Sequence, residues 1–148
     1  MIQAGDVQKL REMTGAGIMD CKKALEEASG DFDKATELIK ERGLAKAAKK
    51  AGREASAGRI ETYVHNDRVG VMLELQCETD FVARADIFKE LAHDIAMQIA
   101  AMSPESVDDL MEQAFIKDSG ETIGSIITEA ISKLGENIKI GRFVRYEI

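Results

Sequence analysis

An α+β fold is predicted, with three helices ahead of a core of three antiparallel strands packed by helices. Three observations carry it. Apolar residues recur at helical spacing up to about residue 43. From Arg59 they alternate with period two, and between Asp86 and Leu134 the helical spacing returns. The last stretch, NIKIGRFVRYEI, alternates again. A period near 3.6 marks one face of a helix and a period of two marks one face of a strand.

Residues 1–43 read as a three-helix N-terminal domain. Asp6 is placed to cap the first helix, which carries Val7, Leu10 and Met13. Thr14-Gly15-Ala16-Gly17 breaks it, because glycine tolerates turn geometry and costs a helix interior about 1 kcal/mol. The second helix aligns Ile18, Cys21, Leu25 and Ala28 on one stripe. Gly30 stops it and Asp31 caps the third, which offers Phe32, Ala35, Leu38 and Ile39 before Gly43 ends it. Residues 44–58, LAKAAKKAGREASAG, lack an apolar stripe and read as a basic, partly helical, solvated connector.

Residues 59–148 form the predicted α+β core. Ile60, Thr62 and Val64 alternate on a first strand, His65-Asn66-Asp67-Arg68 makes the turn, and Val69, Val71, Leu73, Leu75 and Cys77 alternate on the second. Phe88, Leu91, Ala92, Ile95, Ala96 and Ile99 give the next helix a broad apolar stripe. Ser103-Pro104 starts a new segment, with a short helix near Val107–Gln113 and a longer one over Thr122–Leu134. Ile138, Ile140, Val144, Tyr146 and Ile148 are expected on one face of a third strand.

Charge narrows the function classes. The 148 residues carry 20 basic and 27 acidic side chains, net −7. Residues 1–59 are slightly basic and residues 60–148 strongly acidic, so the core should repel a polyphosphate backbone. A protein partner is expected, and no direct nucleic-acid contact. No apolar run approaches the roughly 20 residues of a membrane span, and Met1–Glu12 has no signal-peptide core. A cytoplasmic protein without a membrane partner follows. Cys21 and Cys77 form no CxxC and fall on inward stripes, as small core residues would.

The search for enzymatic chemistry names no catalytic residue, no metal site and no cofactor. There is no GxxxxGK[ST] and no strand–GxGxxG–helix unit. His65 is expected at a hairpin tip and His93 on a polar helix face, and with the cysteines they match no zinc spacing. One junction stands out. After the second strand come Glu78-Thr79-Asp80-Phe81-Val82, where Thr-Asp suits a helix start. Phe81 there is either a core anchor or an exposed aromatic aimed at a partner's pocket.

The order of several motifs resembles bacterial elongation factor Ts, in a short, single-core form. They are Thr14–Leu25 (TGAGIMDCKKAL), Ala45–Arg53 (AKAAKKAGR), Thr79–Val82 (TDFV), Phe115–Asp118 (FIKD) and Leu134–Ile138 (LGENI). The resemblance covers residues 1–101 and about 113–148. It implies a guanine-nucleotide exchange factor, not an enzyme, that promotes GDP release from elongation factor Tu. It implies a ubiquitin-associated-like N-terminal domain contacting the GTPase through Arg11, Gly15, Gly17, Ile18 and Met19. The Thr79-Asp80-Phe81-Val82 corner would wedge into the GTPase domain and disturb its Mg²⁺ and phosphate site. Only Met102–Glu112 fill the interval where the family commonly carries a long segment, and Ala114 stands where its motif has Pro. A single core of this kind leads to the expectation of a homodimer through the core sheet.

Overall fold

The computed structural model describes all of residues 1–148. The N-terminal part is three helices, α1 (Ala4–Thr14), α2 (Ile18–Glu27) and α3 (Phe32–Lys50). Val7, Leu10, Cys21, Ala24, Leu25, Ala28 and Ala35 close a small core of their own. Asp6 does not cap α1 as expected: it lies inside the first turn and its carboxylate accepts from the Gln3 N–H at 3.0 Å. Asp31 caps α3 as expected, accepting from the Asp33 and Lys34 N–H groups at 3.0 and 3.1 Å. Ile18 and Met13, expected on the inward stripes, are exposed instead. Each sits at the end of its helix.

Gly43 does not end the third helix, which runs on to Lys50. The glycine is buried within α3 and faces Ser132. Helix α3 therefore lies along a core helix, α7 (Ile123–Leu134), and Ala47 packs against the second, larger core. Lys46 is not merely solvated: its Nζ lies 2.8 Å from Asp20 Oδ2.

The second core is built on a sheet. Strands β1 (Ala57–His65), β2 (Val69–Cys77) and β5 (Lys139–Glu147) lie antiparallel in the order β1-β2-β5. Asn66 and Asp67, both at positive φ (50° and 57°), make the tight turn whose twist matches the strands. Between β2 and β5 come α4 (Asp80–Ala83), α5 (Asp86–Met102), α6 (Val107–Glu112), the small hairpin β3 (Ala114–Phe115) and β4 (Asp118–Thr122), and α7. Val71, Leu73, Leu75 and Cys77 face α5 and are buried with Phe88, Leu91, Ile95 and Ile99.

Two faces differ from the alternation expected. On β1 the inward residues are Arg59, Glu61 and Tyr63, while Ile60 and Val64 are exposed. β1 is an edge strand beside the polar flank of α5, where Tyr63 meets His93 edge-on. Arg59 and Glu61 pair with each other there at 3.1 Å, and inward charges guard an edge against further pairing. On β5 the expected single face is split. Leu73 pairs with Phe143 but Leu75 with Ile140, so β5 holds one extra residue. This bulge turns Ile138, Ile140 and Phe143 inward and Val144 and Tyr146 outward. The Glu74 carboxylate spans it, accepting from the Arg142 N–H and Nε at 2.9 Å each.

The hairpin β3–β4 is held by a buried amide. Gln98 of α5 donates to the Ala114 carbonyl at 3.0 Å and accepts from the Ile116 N–H at 2.9 Å. Arg145 reaches inward to the carbonyl of Ala100 near the end of α5 through Nε and Nη2, at 3.1 and 3.0 Å.

The α3 geometry makes a prediction. A Cβ at Gly43 meets Ser132 only at 3.7 Å, an ordinary contact. Gly43→Ala should therefore stabilise the protein by up to about 1 kcal/mol through helix propensity. Gly43→Leu should destabilise it by prying α3 from α7. Urea unfolding of the three proteins checks both signs.

Candidate partner-binding surface

Two groups of residues singled out from the sequence stand on different cores. The first is at the end of β2. Cys77 is wholly buried, and the chain then leaves the sheet. Thr79 caps the single turn of α4: its hydroxyl accepts from the Val82 N–H at 3.3 Å. Val82 and Ala83 are buried, which plants the turn on the core. Asp80 and Phe81 therefore point away from it, and Phe81 is 87% exposed. Of the two readings of Phe81, the core anchor is excluded and the outward aromatic is observed.

The Cys77 thiol supports the corner from below, donating to the Thr79 carbonyl at 3.2 Å. Burial pushes this thiol above its ordinary range, and the neighbouring Glu136 carboxylate adds to the effect. It thus stays protonated and able to donate. Glu136 itself accepts from the Thr79 hydroxyl at 2.8 Å. Sequence reading quoted Glu136 within a motif but gave it no role. An acid fifty-seven residues along the chain carries no local signal of this contact.

The second group surrounds the α1–α2 turn. Gly15 is the left-handed end of α1 (φ 68°), donating to the Arg11 carbonyl at 2.7 Å. The side chain of Lys133 of α7 lies where a Gly15 Cβ would project. Gly17 opens α2. Ile18 and Met19 stand 56% and 61% exposed, and Met13 and Arg11 are exposed too. This is a small apolar surface with a basic margin. Asp20, next along α2, is tied to Lys46, and that hydrogen bond holds its carboxyl below the usual carboxylate range. The group lowered by folding stabilises the α2–α3 contact above the unfolded carboxylate pKa. That contribution fades as pH falls through the folded value.

A third surface lies on the core sheet, through which a homodimer was expected. The outer face of the sheet carries Ile60, Val64, Met72, Val144 and Tyr146, all exposed. A cluster of this kind marks an interaction site more often than chance solvent exposure does. His65 and His93 approach the same tyrosine, Tyr63, whose hydroxyl lies 3.0 Å from His65 Nδ1. No group of three or more His, Cys, Asp or Glu side chains is placed to hold a metal ion. No helix is long and apolar enough to cross a membrane.

Comparison with known proteins bears on these surfaces. The model of the family described as elongation factor TS matches residues 78–148, which begin at the corner. Proteins named elongation factor Ts align over nearly the whole chain. The one from Fervidobacterium nodosum is 47% identical, covering 99% of this chain and 98% of its own length. Those from Carboxydothermus hydrogenoformans and a Thermotoga species are each 45% identical. They cover 100% and 96% of this chain, and 89% and 94% of their own. The first alignment spans 193 positions against 148 residues here, so at least 45 of those positions have no counterpart in this chain.

Two outcomes test the geometry. Phe81→Ala should leave stability within about 0.5 kcal/mol, as for an exposed side chain, whereas Phe88→Ala should cost about 3–5 kcal/mol. Chemical denaturation of both separates them. Lys46→Met should raise the titration midpoint of Asp20, followed by carbon NMR of its carboxyl.

Proposed function

The chain belongs to the elongation factor Ts family, a translation elongation factor family, and from that premise we propose that it promotes GDP release from elongation factor Tu. Phe81 carries the proposal. A large aromatic 87% exposed on a planted one-turn helix is shaped to enter a partner, not to serve this chain. Its burial in a partner contributes roughly 1.5–3 kcal/mol. Asp80 and Phe81 form the wedge, with Thr79 and Val82 holding it.

The mechanism needs no nucleotide motif in this chain. Mg²⁺ in such GTPases is held by substrate phosphates and few side chains, so a small intrusion weakens it. Factor and nucleotide then weaken each other's binding to the same degree, because coupling is reciprocal. Excess GTP would expel the factor in turn. No covalent bond is made or broken, so the protein is an exchange factor and not an enzyme. On this reading residues 1–43 are a ubiquitin-associated-like contact domain using Arg11, Gly15, Gly17, Ile18 and Met19. Residues 44–58 are the connector and 59–148 the core.

The exposed outer sheet face supports a second element of the proposal, a homodimer through the core sheet. Val144 and Tyr146 on β5 and Met72 on β2 offer a self-complementary apolar surface.

Labelled GDP bound to elongation factor Tu gives the direct assay. The protein should accelerate its loss. Asp80→Ala and Phe81→Ala should each slow that release by an order of magnitude or more, on the scale of losing a central interface anchor, with unfolding midpoints unchanged. Light scattering at micromolar concentration should give twice the chain mass, and Tyr146→Glu should return it to one.

A further inference from the structure

We infer that Glu136 is the positioning residue of the Asp80-Phe81 corner, and that with Asn137 it fastens the corner and the end of the α3 connector to one post. The inference rests on the exchange reading above.

Helix α4 is a single turn, too short to hold itself. Phe81 lies outside the core, so its direction depends on the backbone of residues 78–82. Val82, Ala83 and the Cys77 thiol anchor that segment from the core side, and Glu136 holds it from outside. The Glu136 carboxylate takes three donors from it. Oε1 accepts the N–H of Glu78 at 3.2 Å and of Thr79 at 3.0 Å, and Oε2 accepts the Thr79 hydroxyl at 2.8 Å. The hydroxyl thus donates to Glu136 while accepting from the Val82 N–H at 3.3 Å. One carboxylate fixes both the exit from the strand and the rotamer that caps the turn. Hydrogen bonds to an ionised acceptor are about twice as strong as neutral ones.

The chain places Glu136 there by a sharp stop. Gly135 ends α7 in the left-handed conformation (φ 76°), its N–H donating to Ile131 at 2.9 Å. The next two residues are thrown against the end of β2. Asn137 completes the junction. Its N–H donates to the Glu78 carboxylate at 2.7 Å, and its buried side-chain amide donates to the Arg53 carbonyl at 2.8 Å. Arg53 Nη1 stands 3.6 Å from that same Glu78 carboxylate. Residues 53, 78–79 and 136–137 therefore meet in one polar knot. The knot joins the connector to the base of the wedge.

A purely structural role would treat Glu136 as one more surface acid. The positioning role predicts a specific pattern. GDP release from elongation factor Tu is followed over a range of concentrations of full-length factor. E136A should lower the maximal release rate about tenfold or more, since small misplacements of a working group are costly. E136Q keeps an oxygen for the two N–H groups and an amide for the Thr79 oxygen, and should stay within about threefold of wild type. Amide hydrogen exchange should speed up at Thr79 and Val82 in E136A while Leu73 and Leu75 stay protected. Full activity of E136A with unchanged protection at Thr79 and Val82 would overturn the inference, as would exchange speeding up equally in β2. If wild type itself fails to release GDP, the exchange reading falls, and the amide pattern alone still decides whether Glu136 holds the corner.

Discussion

The inner face of β2 is the constraint on which the rest of the core depends. Val71, Leu73, Leu75 and Cys77 are buried against the apolar stripe of α5. A strand with one buried face cannot slip by a residue, because a slip would turn the whole set to water. β2 is also the central strand, so its register sets both neighbours. Where its burial ends, at Cys77, the chain must leave the sheet. The corner at Thr79–Val82 is the direct continuation of that requirement, and its exposed Phe81 is presented from the most tightly determined strand in the molecule.

The same constraint leaves apolar surface uncovered. With α5 and α7 on one side of the sheet, nothing in this chain covers the other, and Ile60, Val64, Met72, Val144 and Tyr146 face water. Met13, Ile18 and Met19 do so on the helical part. Core formation is complete on the inner faces, so these surfaces reflect side chains beyond what folding uses. Their placement at a corner, a helix end and an open sheet accords with a protein whose work is contact with other chains.

The two cores are not simply tethered. Helix α3 runs without interruption from the first core onto α7, with Gly43 facing Ser132 and Ala47 packed on the second core. The connector beyond it is held at Arg53 by Asn137, beside the acid that holds Thr79. Contacts at the C-terminal end of α7 therefore join parts that are far apart in sequence. Lys133 lies against the Gly15 turn and Glu136 against the corner.

The fold class, the element order and the inward stripes of α5, α7 and β2 were legible in the sequence, because each follows from local periodicity and the burial of one face. The corner residues were legible as a motif, and the α1–α2 turn from its glycines. What local pattern could not decide was anything set by a distant neighbour. Gly43 looks like a stop because glycine disfavours helix, yet it is buried inside a helix that continues along α7 to Lys50. The single alternating face of the last strand is broken by a bulge that only pairing with β2 creates. Arg59, Glu61 and Tyr63 turn inward because β1 is an edge beside a polar helix flank. Whether Phe81 was core or surface depended on which residues the turn planted, and Val82 and Ala83 took the buried places. The sequence by itself determined which segments are helix and strand, since periodicity is a property of neighbours along the chain. The tertiary structure decided which side chains are left for a partner, since burial belongs to elements that meet only after folding.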